Sequence, residues 1–156
     1  MNITCISIGK TKEAEHVKFI EFYTKKLKHY NTFKYIELAG IKKANKLSKE
    51  KLKTEEGELI LKNVKPNSQI ILLDEKGKNH SSPDFAAYLN KKMVAGGQEI
   101  NFIIGGAYGF SDELYHRAND KLALSKMTFT HQMVRTIFLE QLYRAFSIIK
   151  GEKYHH

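Results

Sequence analysis

Apolar residues along the chain switch repeatedly between two spacings, a tight alternation or short run and a wider helical recurrence, and the switches mark the elements. Asn2 to Ile8 alternates and is rich in isoleucine, which predicts a strand ending at Gly9. From Lys12 to about Tyr30, the residues Val17, Ile20, Phe22, Tyr23, Leu27 and Tyr30 recur at roughly helical spacing among lysines and glutamates. That pattern predicts an amphipathic helix with a basic outer face. Phe33 to Leu38 reads as a second strand, and the lysine-rich segment from Gly40 to Lys46 as a loop. Ser48 can cap a helix running to about Val64, with Leu52, Leu59 and Ile60 inward and Gly57 as a weak spot.

The second half is more apolar and its connections are less ordinary. Pro66-Asn67 turns the chain into Gln69 to Leu73, a short run suited to a strand covered on both faces, followed by a loop at Asp74 to Lys78. Ser82-Pro83-Asp84 is a helix start with Ser82 as its cap, and the helix runs through Phe85, Leu89 and Met93 to a stop at Gly96-Gly97. Glu99 to Ile104 is a buried strand leading directly into Gly105-Gly106-Ala107-Tyr108-Gly109, after which Ser111 caps a short helix to about Asn119. Lys121 to Leu124 is the last strand. Thr130 can cap the final helix, whose stripe Val134, Ile137, Phe138, Leu142, Phe146 and Ile149 reaches nearly to Gly151 before a polar tail.

Strands alternating with helices imply an α/β fold, a mostly parallel sheet flanked by helices, in a single domain over residues 1–156. Parallel packing gathers the loops after Leu73, Ile104 and Leu124 at one edge of the sheet, where open α/β folds bind ligands. The loop from Leu124 to His131 is odd for a connection because it carries Met127 and Phe129 among hydroxyls. Either these side chains plug the core where strand meets helix, or they wall a ligand site built from apolar groups and backbone.

Charge narrows the partner. Lysine and arginine number 26 against 17 acids, a net charge of +9, with 15 bases and 8 acids in residues 1–66 and 11 and 9 in the remainder. Such a field favours a polyanion, and nucleic acid is the expected one. Only Arg117, Arg135 and Arg144 are arginines, all in the C-terminal part, where a planar fork to phosphate or carboxylate would matter. The single cysteine, Cys5, sits in an apolar alternation, so it reads as a buried thiol in a reducing compartment. No apolar run approaches the ~20 residues of a membrane span, and no signal-peptide pattern opens the chain. A soluble, cytoplasmic protein without membrane attachment is expected.

Several chemistries lack their motifs. The glycine loop is neither G-x-G-x-x-G nor a Walker A sequence, the seven histidines form no H-E-x-x-H or Cys-His cluster, so no metal site is expected, and there is no G-x-S-x-G. What remains is a knot of apolar loops near His131 and Arg144 under a positive field.

The segments Gly105-Gly-x-x-Gly109, Leu124-Ser-Lys-Met-Thr-Phe-Thr-His131, Glu140-Gln-Leu-Tyr-Arg-Ala145 and terminal Tyr154-His155, in that order, resemble those of a small ribosomal-RNA methyltransferase family of the SPOUT class, the α/β-knot methyltransferases. The resemblance runs over the whole chain and is dense from about Gln69 onward. It implies a homodimer whose C-terminal part forms a deep trefoil knot, a topology that general rules would not propose. It implies S-adenosyl-L-methionine bound at the knot by Leu73, Gly105 and the run Leu124, Ser125, Lys126, Met127, Thr128 and Phe129. It also implies methylation of N3 of a pseudouridine in a 23S rRNA hairpin at the ribosomal subunit interface, with RNA rather than DNA as partner. Arg144, His131, Tyr154 and His155 are then the expected catalytic residues: Arg144 to hold phosphate or the developing uracil anion, His131 to assist proton removal or cap the helix, the tail pair to contact the target nucleotide. Two positions depart from the family pattern, Thr130 where proline is common and His156 where another basic residue is common. A non-catalytic RNA-binding protein of the same fold and an ordinary doubly wound nucleotide-binding enzyme are the alternatives.

Overall fold

The computed structural model describes residues 1–96 and 98–155. In chain order the elements are β1 (Asn2–Ile8), α1 (Ala14–Leu27), β2 (Thr32–Leu38), α2 (Lys49–Lys62), β3 (Gln69–Asn79), α3 (Ser82–Val94), β4 (Ile100–Ile104), α4 (Asp112–Arg117), β5 (Asp120–Ala123) and α5 (Met133–Ile149). A single turn of 3₁₀ helix lies at Ala44–Lys46. The strands form one sheet in the order β2-β1-β4-β3-β5, and every pairing is parallel. Parallel neighbours need a long crossover, and the helices supply it.

Alternation along the strands sorts the core into two layers. Ile3, Cys5, Ile71, Ile100, Phe102 and Ile104 pack with Ile20 and Leu27 of α1, Phe85 and Leu89 of α3, and Phe138, Leu142 and Phe146 of α5. Ile6, Ile8, Ile70, Leu72 and Ile103 face the other way, onto Ile60 of α2, Leu114 of α4 and Phe110 just before that helix. Cys5 is fully buried as expected, and burial pushes its thiol pKa well up, leaving a neutral apolar filler.

Several boundaries differ from the sequence reading, each for a local reason. Phe22 is 51% exposed, as is Phe19, because the inward stripe of α1 runs through His16, Ile20 and Leu27 instead. The cap of α3 is Ser81, whose Oγ accepts from the Asp84 amide at 3.2 Å, while Ser82 Oγ donates to Gln141 Oε1 at 3.0 Å across to α5. The Asp74 to Lys78 segment is not a free loop. β3 continues to Asn79, and Leu73 and Lys78 both pair with Leu122, so the four residues between them bulge out of the strand. At Gly77 a Cβ would lie 2.6 Å from the Leu122 amide nitrogen, so the bulge passes over the β5 backbone with room only for hydrogen. Ser48 and Ser111 cap α2 and α4 as predicted, accepting from the Lys51 and Leu114 amides at 3.1 and 3.3 Å. Gly97 of the predicted Gly96-Gly97 stop and His156 of the tail lie outside the described residues.

The start of α5 is stitched to the β1–α1 connection. Gln132 is buried, and its Oε1 accepts from the Lys12 amide at 2.9 Å while its Nε2 donates to the Lys10 carbonyl at 3.4 Å. Arg135 is 1% exposed and donates to the carbonyls of Ile8 at 2.7 Å, Gly9 at 2.9 Å and His131 at 3.0 Å, to Thr11 Oγ1 at 2.9 Å and to Glu37 Oε1 at 3.3 Å. Arg117 likewise donates to the carbonyls of Pro66 and Ser68 at 2.6 and 2.8 Å. Both arginines therefore use their forks on the protein's own backbone.

Candidate functional site

The C-terminal ends of β3, β4 and β5 open into a cleft of about 420 Å³, within the range of roughly 300–1,000 Å³ typical of small-molecule sites. Each strand delivers one wall. Leu73 and the Asp74–Lys76 bulge come from β3, Ile104 and the loop Gly105–Gly109 from β4, and Leu124, Ser125, Met127, Thr128, Phe129 and His131 from the segment after β5. Of the residues expected to surround a cofactor, Leu73, Gly105, Leu124, Ser125, Met127, Thr128 and Phe129 all line this cleft. Lys126 is exposed and is not among the lining residues; a fully charged ammonium stays in water unless a partner repays its desolvation.

Exposure excludes the core plug. Met127 is 78% exposed and Phe129 39%, so neither fills the core beneath the loop. The segment is held instead by short polar contacts: the Met127 amide donates to Ser125 Oγ at 2.9 Å, and the Met133 amide to Thr130 Oγ1 at 3.2 Å. Thr130 thus performs a capping bond although α5 proper begins at Met133. His131 is exposed on the cleft; its carbonyl accepts from Arg135, whereas its imidazole makes no hydrogen bond among the described residues.

Two glycines of the β4 loop lie close against neighbouring side chains. A Cβ on Gly105 would meet the Phe110 ring at 2.8 Å, and one on Gly106 would meet the Glu56 carboxylate at 2.5 Å. The two glycines thus make room for Phe110 and for Glu56 of α2. Gly109 has φ +84, the left-handed conformation that closes the turn from Gly106. Glu56 is buried without an ion-pair or hydrogen-bonding partner among the described residues, and burial raises its carboxyl pKa.

One further lining group escaped the sequence reading. Tyr115 lines the cleft, and its hydroxyl donates to Asp74 of the bulge; burial and then this bond push its pKa up, so it stays a neutral donor. No local pattern announces a contact between residues 41 apart. Tyr108, 49% exposed, stands at the mouth.

The remaining candidates form a separate cluster on the last turns of α5. Arg144 donates to Glu140 Oε1 from Nη2 at 2.6 Å and Nε at 3.1 Å, Tyr154 donates to the same oxygen at 3.1 Å, and the guanidinium carbon sits 4.9 Å from the Tyr154 ring centroid. His155 follows, half-buried. None of Arg144, Tyr154 or His155 lines the cleft of this chain. Arg144 lies eleven residues beyond Met133, which on an α-helix is about 16 Å along the axis.

Comparison with known proteins places this architecture. The family model described as "Predicted SPOUT methyltransferase" matches residues 1–155. Ribosomal RNA large subunit methyltransferase H of Cytophaga hutchinsonii is 52% identical over 156 residues, covering 100% of both chains, and the protein of that name from Christiangramia forsetii is 48% identical over 100% of this chain and 99% of its own. Among solved structures, a probable methylase family protein from Haemophilus influenzae Rd KW20 has a TM-score of 0.50 over 98% of this chain and 69% of that one, at 15% identity, a likeness of fold. By its full-length match to the family model and to these relatives, the chain belongs to the SPOUT methyltransferase family.

Proposed function

We propose that this protein transfers a methyl group from S-adenosylmethionine to N3 of a pseudouridine in 23S rRNA, in the ribosome. The observation that carries the reading is the cleft itself: three parallel strand ends converge on it, and Met127 and Phe129 stand open on its wall where a core plug would bury them. The residues present fit the donor. Leu73, Ile104, Leu124 and Phe129 offer apolar walls for an adenine, and the backbone of Gly105–Gly109 and Ser125–Thr128 offers donors and acceptors. The relatives' shared name supports ribosomal RNA as the substrate, and the net charge of +9 supports a polyanionic one.

S-adenosylmethionine supplies a methyl group activated by its sulfonium charge. The chain's own work is to align a ring nitrogen with that carbon, to exclude water, and to manage one proton and one developing charge. N3 must lose its proton as the N–C bond forms. The His131 imidazole, on the cleft and with no hydrogen bond among the described residues, accepts it directly or through water. Between loss of that proton and arrival of the methyl group the uracil ring carries negative charge, which Arg144 would stabilise until the N–C bond forms and the donor's S–C bond breaks.

Arg144 and the tail do not line the cleft within one chain, and Phe19 and Phe22 leave an apolar patch open on α1. Both features support a homodimer in which one protomer's Arg144, Tyr154 and His155 complete its partner's cleft. A C-terminal trefoil knot belongs to the same reading, supported by the match to the SPOUT family model.

Titration calorimetry with S-adenosylmethionine tests the donor: saturable binding is expected, and a folded protein that shows none sinks the enzyme reading. Mass mapping of 23S rRNA from a strain lacking the gene tests the acceptor; one methyl group should disappear and return with the wild-type gene. Arg144→Ala should lose methylation while binding the donor near wild-type affinity, and equal turnover by that variant would refute its role.

A further inference from the structure

The cleft carries an aromatic ring that the transfer reaction does not use. Tyr108 sits at the tip of the turn closed by the Gly106–Gly109 bridge, and that turn is backed by Glu56 packed against Gly106. The ring is therefore presented on a supported turn, half-exposed, at the mouth of the site. Over it lies the ammonium of Lys49, the first residue of α2, 5.1 Å from the ring centroid. Lys49 continues a run of exposed lysines, Lys42, Lys43 and Lys46. Among the described residues none of these four has a carboxylate within ion-pair distance, whereas the next two, Lys51 and Lys53, are paired with Glu55 and Glu50.

This combination selects its ligand chemically. A wall for the donor's adenine should be neutral and sheltered; a half-exposed ring beneath an ammonium, at the end of an unneutralised lysine track, is matched by a base with a phosphate beside it. Aromatic faces that stack bases next to cations that hold the backbone are the general device for gripping unpaired RNA. We propose that Tyr108 and Lys49 form an RNA-guiding lip of the cleft: a base near the target nucleotide stacks on Tyr108, Lys49 holds an adjoining phosphate, and Lys42, Lys43 and Lys46 extend the track away from the site. The inference rests on the reading above for which nucleotide is modified, but the RNA contact itself is independent of methyl transfer.

The test is binding of ribosomes purified from a strain lacking the gene, measured without cofactor, alongside calorimetry with S-adenosylmethionine. Loss of one stacked base predicts that Tyr108→Ala weakens ribosome binding about ten-fold or more, while Tyr108→Phe, which keeps the ring, stays within about two-fold of wild type. Lys49→Ala should lower the slope of log affinity against log salt by about one, the signature of a single phosphate contact. Lys49→Ala, outside the lining of the cleft, should leave the affinity for S-adenosylmethionine nearly unchanged. If Tyr108→Ala loses donor affinity as far as it loses ribosome binding, Tyr108 is a wall of the donor site and the proposal is wrong. It is equally overturned if Tyr108→Ala binds ribosomes like wild type, or if Tyr108→Phe is as weak as the alanine variant. Wild-type protein that binds ribosomes but not the donor would overturn the transferase reading alone.

Discussion

Arg135 is the residue whose removal should do most damage per atom lost. Its guanidinium, 1% exposed, satisfies the carbonyls of Ile8, Gly9 and His131 and touches Thr11 Oγ1 and Glu37 Oε1. Arg135→Met keeps most of the buried volume and removes every one of these donors. The Glu37 carboxylate, itself about one-quarter exposed, loses its cation. Breaking a buried ion pair from one side costs about 3–5 kcal/mol, and each carbonyl left dry adds about 1–3 kcal/mol unless water reaches it. Water will reach some of them, so a net loss of about 4 kcal/mol is expected, a large share of the roughly 5–15 kcal/mol that holds a typical domain together. Urea unfolding at fixed protein concentration measures it, the concentration being held because any dimer couples association to stability. Arg135→Lys should recover less than half, since one ammonium cannot span strand end, loop and carboxylate together. The same bonds fix the segment that carries Phe129 and His131, so folded Arg135→Met should also bind S-adenosylmethionine more weakly. A loss below about 1 kcal/mol with unchanged donor affinity would refute the assignment of Arg135 as the tie between β1 and the cleft wall.

Three other substitutions follow from the same geometry. Gly77→Ala drives a Cβ to 2.6 Å from the Leu122 backbone, which cannot give way as a flexible side chain would; a destabilisation of about 3 kcal/mol or more is expected in urea unfolding, and wild-type stability would exclude the close passage. Glu56→Gln should stabilise the protein increasingly as pH rises. Burial holds the folded carboxyl pKa above its unfolded value, so the native state binds the proton more tightly, and the wild type loses stability as pH climbs from the unfolded value through the folded one. The difference between variant and wild type should therefore vanish in acid and be largest near neutrality, and a gain present only in acid would contradict it. Phe129→Ala, on an exposed wall, should change stability by less than about 1 kcal/mol yet weaken donor binding measurably by calorimetry; the reverse pattern would make Phe129 a core residue.

Much of the site was readable because it is carried by contiguous stretches. The run Leu124–Phe129 announces itself by placing Met127 and Phe129 in a connection, and the Gly105–Gly109 loop by its position directly after a strand. The residues that support them were not readable. Glu56 looks like any surface acid on a charged helix until α2 is laid against Gly106, and Gln132 looks like an ordinary helix residue until its amide meets the backbone of Lys10 and Lys12. Arg135 was marked only by the scarcity of arginine, a bias that could not say whether the fork would hold phosphate or the protein itself.

The linear order of apolar and polar positions by itself determined the alternation of strands and helices, the parallel sheet that such an order requires, the burial of Cys5, and the gathering of three connections at one edge. Those follow from periodicity and from the length of chain needed to cross a sheet, which are local properties. Only the tertiary structure decided that the Asp74–Gly77 stretch is a bulge riding on β5, that the loop glycines make room for Glu56 and Phe110, and that Arg144 and Tyr154 stand apart from the cleft in one chain. Each of these depends on which distant atoms come within a few ångströms, and contacts of that kind leave no period in the sequence.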